Sequence, residues 1–213
     1  QINKFVEIFS QAIELSSLPA DKPIEVVDFG SGKGYLTFAI NDYLQKSLHN
    51  HSRVTGVELR TELVDLCNAA ARKLELAGLN FVCGDIATHA PAQVDVMIAL
   101  HACDTATDHA IHYGIRAGAS IIMCSPCCHK QIRPQMHSPE LLKPMLQYGV
   151  HLGQQAEMVT DAMRALLLEA HGYSTRVFEF VSLEHTNKNK MILAVKNKTT
   201  SDNRDVLQQV AAL

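Results

Sequence analysis

The spacing of apolar residues divides this chain into alternating short elements. Residues 2–18 carry Ile2, Phe5, Val6, Phe9, Ile13 and Leu15 at near-helical spacing, and Pro19 and Pro23 then mark a break. From Glu25 onward, apolar β-branched runs predict strands over 25–29, 53–58, 79–83, 94–100 and 120–124. Between them, amphipathic spacing predicts helices over 34–48, 61–77 (closed by Gly78) and 105–117. Such alternation implies a parallel sheet with helices on both faces and right-handed crossovers. The last third departs from this rhythm. After a helix over about 153–170, residues 173–182 and 190–196 read as strands. The seven residues between them are too few for a helical crossover, so an antiparallel pair at one edge is expected. Residues 197–205 are polar, and 205–213 have the spacing of a terminal helix. The expected organisation is a helix and linker over 1–22, a domain over 23–197 and a tail or short helix over 198–213.

Composition narrows the setting. The chain has 213 residues, 47% hydrophobic and 19% charged, which suits one globular domain rather than disorder. Its net charge of −3 supplies no general attraction to nucleic acid or anionic membrane. No apolar run approaches the roughly 20 residues of a membrane helix, and no signal-peptide pattern opens the chain. Six cysteines in a chain this long favour reduced thiols and a cytoplasmic location over a disulfide scaffold. The chain opens at Gln1 without Met, so an absent upstream region that carries part of the substrate-binding apparatus is an expectation.

Chemistry enters at Val26-Val27-Asp28-Phe29-Gly30-Ser31-Gly32-Lys33-Gly34-Tyr35. This is a strand, a glycine-rich turn and a helix start, a place where a ligand can lie against bare backbone. Three ligands compete. A phosphate-binding loop needs Gly-x-x-x-x-Gly-Lys-Ser/Thr, and the position of Lys33 before Gly34 and Tyr35 breaks that spacing. A dinucleotide fingerprint needs Gly-x-Gly-x-x-Gly, whereas Gly30, Gly32 and Gly34 give Gly-x-Gly-x-Gly. S-adenosylmethionine (SAM) has no pyrophosphate to cradle. Asp28 is placed to help hold its methionine ammonium. Glu58, ending Val54-Thr55-Gly56-Val57-Glu58, is placed to accept both ribose hydroxyls. Asp85 and Ile86, after the third strand, offer a carboxylate for the adenine amino group and an apolar wall. The expected cofactor-binding set is Asp28, Gly30, Ser31, Gly32, Gly34, Tyr35, Glu58, Leu59, Asp85, Ile86 and Leu100.

With these residues the chain resembles class I SAM-dependent methyltransferases over roughly Pro23 to Lys196. The resemblance implies a Rossmann-like fold with a seven-stranded, mostly parallel sheet of order 3-2-1-4-5-7-6 and helices on both faces. The segments Ala99-Leu100-His101-Ala102-Cys103-Asp104-Thr105-Ala106-Thr107-Asp108 and Ser125-Pro126-Cys127-Cys128-His129-Lys130 are similar to those of the methyltransferase-like 25, or Pro-Cys-Cys-His, subfamily. Thr186-Asn187-Lys188-Asn189-Lys190 is similar to that subfamily's Thr-x-x-Asn turn. A related Cys-Cys-His segment belongs to a eukaryotic tRNA ribose methyltransferase family.

The ends of the fourth and fifth strands should face the methyl group. Methyl transfer needs an acceptor held in line and, for some acceptors, a base. His101, Asp104, Cys127 and His129 are the expected catalytic-side residues. His101 is placed to act as a base, to orient the acceptor or only to touch the cofactor. Asp104 is placed to hold His101, to bind a polar group or to cap the helix starting near Thr105. Cys124-x2-Cys127 with His129 has a zinc-ligand spacing, with His137, Cys103 and His101 as the nearest additions. No second ligand pair follows at finger spacing, so pocket shaping is preferred and no metal is assigned. Lys130 and Arg133 are placed to meet a phosphate or simply to be solvated. RNA is the preferred acceptor by analogy with the tRNA family. Protein or small-molecule acceptors, and a SAM-binding scaffold without catalysis, remain the alternatives.

Overall fold

A computed structural model describes residues 1–19, 21–47, 51–86, 93–100, 102, 104–181, 189–199 and 203–212. The elements run α1 (Ile2–Leu15), β1 (Glu25–Phe29), α2 (Tyr35–Ser47), β2 (Arg53–Glu58), α3 (Thr61–Lys73), β3 (Leu79–Cys83), β4 (Val96–Ala99), α4 (Thr105–Arg116), β5 (Ile121–Cys124), α5 (Lys143–Leu146), α6 (Gly149–Ala170), β6 (Tyr173–Glu179), β7 (Lys190–Lys196) and α7 (Arg204–Ala212). Short 3-10 turns at Arg133–Gln135 and Glu140–Leu142 lie between β5 and α5. The seven strands form one sheet in the order β3-β2-β1-β4-β5-β7-β6. β1 to β5 pair in parallel, while β7 runs antiparallel to both β5 and β6. This is the topology expected from the sequence.

The strand alternation separates two cores. Val26 of β1, Val96 and Ile98 of β4, and Ile121 and Met123 of β5 face the side covered by α1, α2 and α3. Val27, Phe29, Met97, Ala99, Ile122 and Cys124 face the side where Ala110 and Ile111 of α4 and Leu168 of α6 pack. A period of two puts neighbouring residues on opposite faces, so a strand buried on both sides is apolar throughout. α1 belongs to the first core: Phe5 and Phe9 are fully buried, with Phe5 edge-on to Phe180 and Phe9 edge-on to Tyr43.

Several boundaries differ from the sequence expectation; β6, for one, ends at Glu179 rather than at 182. α3 stops at Lys73, four residues before Ala77. Leu76 N–H donates to Ala71 O at 3.0 Å and Glu75 N–H to Arg72 O at 3.1 Å, a Schellman closure in which Glu75 has φ +52°. Apolar spacing alone did not reveal this stop, because Leu76 folds back onto the same core. β4 is shorter than 94–100: Val96–Ile98 pair with both β1 and β5, and Ala99 pairs with β5 alone. α6 starts at Gly149, where Arg133 Nη2 donates to the Gly149 carbonyl at 2.9 Å. The helix therefore begins about four residues before the expected 153.

No helix among the described residues is long and apolar enough to cross a membrane.

Candidate functional site

The carboxyl ends of β1 to β5 share one edge of the sheet, and the glycine turn crosses it. Gly30 N–H donates to Val57 O at 2.8 Å, fastening the turn to β2. Gly32 has φ +56°, and a Cβ placed on it would meet no heavy atom closer than 3.9 Å. Its backbone therefore borders open space in a conformation that disfavours other residues. Gly34 differs. A Cβ there would lie 2.9 Å from the Phe81 ring, and one on Gly56 would lie 2.5 Å from it. Phe81, stacked obliquely on Phe38 at 5.4 Å, props the turn from below. Gly34 thus makes room for the core, and it lines neither of the clefts described next.

Two clefts flank the turn. One, of about 440 Å³, is lined by Gly30, Gly32, Val57, Glu58, Leu59, Arg60, Gly84, Asp85, Ile86, Ala102 and Ala106. The other, of about 330 Å³, is lined by Gln1, Ile2, Asp28, Gly30, Ser31, Gly32, Lys33, Tyr35, Leu36 and Leu100. Apart from Gly34, every residue of the expected cofactor set lines one or both. Leu59 and Tyr35 are exposed by 69% and 68%, large apolar surfaces held at the mouths of the clefts. A third, wider cleft of about 840 Å³ lies between Met136 and Gln147 and takes in His137. It holds no residue of the glycine turn or of the acidic strand ends.

Two carboxylates at the strand ends have distinct electrostatics. Glu58 Oε2 accepts from Gly32 N–H at 2.9 Å, while Oε1 accepts from Arg60 Nε at 2.9 Å and Arg60 N–H at 3.2 Å. Burial alone would raise its pKa, but the bonds from Arg60 and Gly32 outweigh that and hold it below the ordinary value. Glu58 is therefore ionised. Asp28 is 3% exposed, and burial pushes its carboxyl up to about 7 against the lowering effect of a 2.7 Å bond from Thr37 Oγ1.

On the far side, Asp104 stands immediately before α4 with φ +54° and ψ −124°. Its side chain makes no cap bond to α4. Instead Oδ1 accepts from Gln131 N–H at 3.3 Å, linking α4 to the segment beyond β5. An aspartate in this backbone region is strained and needs support from its surroundings. Arg164 of α6 supplies it: Nη2 donates to Asp104 O at 3.0 Å, and Nε and Nη2 hold the two Asp108 oxygens at 2.7 and 3.0 Å. His101 and Cys103 lie outside the described residues.

Beyond β5, Ser125 Oγ donates to Lys190 O at 2.8 Å and ties the Pro-Cys-Cys-His segment to β7. The Cys127 and Cys128 sulfurs are 3.6 Å apart, and both side chains are half-buried. Cys124 is fully buried on β5, and burial pushes its thiol up to about 12, which disfavours the thiolate a zinc ion needs. His129 does not join these cysteines in a three-ligand cluster. One of its ring nitrogens groups instead with carboxylate oxygens of Glu157 and Asp161. Of the Thr-x-x-Asn turn, Thr186, Asn187 and Lys188 lie outside the described residues. Asn189 is buried and closes the neck of the β6–β7 hairpin, donating from Nδ2 to Val181 O at 2.8 Å.

The sequence reading missed Arg60, Thr37, Gly56, Arg164, Glu157 and Asp161. Arg164 and Asp161 left a signal, as charges within an otherwise apolar helical run. Thr37 and Gly56 left none, because their roles depend on strands and helices meeting.

The comparisons with known proteins agree with this geometry. The family described as "Methyltransferase domain" matches residues 1–135, and the chain belongs to it. A human protein named "Glutathione S-transferase C-terminal domain-containing protein" is 26% identical over 219 residues, covering 92% of this chain and 32% of that protein. The chain thus spans about a third of the length of the curated relatives it matches. Among solved structures, the CurJ carbon methyltransferase aligns with a TM-score of 0.54 and 16% identity, over 92% of this chain and 54% of that one. Precorrin-6y C5,15-methyltransferase from Geobacter metallireducens aligns with a TM-score of 0.50 and 14% identity, over 90% and 88%. These likenesses establish the Rossmann-like methyltransferase fold.

SAM is the cofactor of this fold family, and the residues present fit it. Open glycine backbone, an ionised carboxylate at the end of β2 and apolar cleft mouths are what a charged, amphipathic nucleoside requires.

Proposed function

We propose that this chain transfers the methyl group of SAM to an external acceptor at the carboxyl ends of β4 and β5. The observation that carries this reading is the 2.9 Å bond from Gly32 N–H to Glu58 Oε2, which joins the glycine turn and the acidic strand end into one wall. When bound, SAM supplies an electrophilic methyl group. Glu58 and the cleft around Leu59, Asp85 and Ile86 would hold the adenosine end. Asp28, Ser31, Tyr35 and Leu100 would hold the amino-acid end. Asp104, Cys127 and His129, with His101, would shape the acceptor side.

RNA is the acceptor we favour. Lys130 and Arg133 follow the Pro-Cys-Cys-His segment, and Lys130 is exposed where a phosphate could approach. The narrower kinship with the methyltransferase-like 25 group rests on the segments around 99–108 and 125–130.

Calorimetry with SAM tests the first half: saturable binding is expected, and none at millimolar SAM would overturn the reading. Labelled methyl transfer to total RNA and total protein from the source cell tests the second. Label in RNA is expected. Label confined to protein would end the RNA assignment, and binding without transfer to any fraction would leave a cofactor-binding scaffold.

A further inference from the structure

We propose that His129, Glu157 and Asp161 form a binding site for a divalent first-row transition cation such as Zn²⁺, Mn²⁺ or Fe²⁺. One ligand atom from each residue lies within 4.8 Å of the other two. Donors around a tetrahedral ion at about 2.1 Å stand roughly 3.4 Å apart, so closing the cluster is a matter of side-chain contraction. Glu157 and Asp161 are four residues apart on α6, which places both carboxylates on one face of the helix. His129 reaches the same point from the segment beyond β5.

A second observation points to a ligand here. Asp161 is 3% exposed, and its Oδ2 has no solvent-accessible surface and accepts no hydrogen bond among the described residues. Its Oδ1 has only a 3.5 Å contact with Arg164 Nη1, and the shorter bonds of that guanidinium go to Asp108 and Asp104. A buried carboxylate oxygen without a donor is costly and calls for a cation. Lys190 Nζ pairs with Glu157 Oε1 at 3.0 Å and positions that side chain.

The donor set selects the ion. One imidazole nitrogen with two carboxylates suits Zn²⁺, Mn²⁺ or Fe²⁺ better than soft ions, and better than Mg²⁺, which favours oxygen and water. Three protein donors also leave coordination positions open, as in catalytic rather than structural sites. Lys190 opens β7, the strand antiparallel to β5, so the cluster lies at the sheet edge that carries the cofactor clefts. The site does not depend on methyl transfer taking place.

The test is a Co²⁺ titration of the whole chain followed by visible absorption, with Zn²⁺ and Mn²⁺ in competition and Mg²⁺ as control. Saturable binding of one equivalent is expected, with nitrogen–oxygen ligand-field bands and no thiolate charge-transfer band. Affinity should fall at least about tenfold in His129→Ala and in Glu157→Gln and stay unchanged in Cys127→Ser and Cys128→Ser. Asp161→Asn should behave like Glu157→Gln. If it fails to fold, the other two variants decide. No saturable binding at millimolar Co²⁺ would overturn the site. So would a thiolate band that disappears with the cysteine variants, or affinity indifferent to His129 and Glu157.

Discussion

The backbone N–H of Gly32 donates to Glu58 Oε2 at 2.9 Å, so the glycine turn and the acidic end of β2 hold one another. Glu58 already accepts three bonds, two of them from Arg60. A ribose diol must therefore share this carboxylate or displace Arg60 from it. Glu58→Gln should weaken SAM binding by about 1–3 kcal/mol, read by calorimetry, through loss of charged hydrogen bonds. Arg60 is well exposed, so Arg60→Ala should change affinity by less than about 1 kcal/mol. Equal losses in the two variants would move the ribose contact from Glu58 to the ion pair.

Asp28 makes the stability of the fold depend on pH. Its folded pKa of about 7 lies above the unfolded value of 3.8, so between these the folded chain binds more protons. Stability should then fall as pH rises from about 4 to 7 and level off above. Asp161, raised to about 6 by burial, adds in the same direction over a narrower window. Asp28→Asn should flatten the upper part of this profile in denaturant titrations. If Asp28 meets the SAM ammonium, binding near pH 6.5 should release a fraction of a proton, measured by calorimetry in buffers of different ionisation enthalpy. Asp28→Asn should abolish that release.

Arg164 holds α6 to the start of α4 through Asp108 and the Asp104 carbonyl. The guanidinium is 4% exposed while Asp108 is 46% exposed, so the pair is buried on one side only. Arg164→Ala should destabilise the fold by about 3 kcal/mol in urea, at the lower end of the range for breaking a buried pair. Asp108→Asn should cost less, because water can reach that side.

Glu75 occupies the left-handed position at the end of α3 that glycine fills best. It is exposed, so Glu75→Gly should remove strain without loss of packing and raise stability by about 1 kcal/mol. A thermal midpoint that is unchanged or lower would contradict the Schellman closure. Asp104→Gly makes a useful contrast. It removes comparable backbone strain but also the bond to Gln131, so stability should hold while methyl transfer slows.

The sequence by itself determined the sheet and the cofactor edge. Those are local signals: strand alternation, a glycine turn with three positive φ values, and acids at strand ends. Each is read within about ten residues, because backbone conformation and burial period are short-range properties. Even there, one residue had two readings. Gly34 reads as part of the cradle, and only the fold shows that the Phe81 ring also packs closely against it. The arrangement beyond β5 was decided by tertiary structure. His129 sits beside two cysteines in sequence, and a zinc reading of that segment was natural. In the fold it comes near Glu157 and Asp161, some 30 residues on, because α6 packs beside β7 and against the segment beyond β5. Arg164, whose one visible signal was a charge in an apolar helix, proved to support the strained Asp104. Chain position constrains neighbours along the backbone. Which side chains converge across helices depends on how the layers pack, and no local pattern records that.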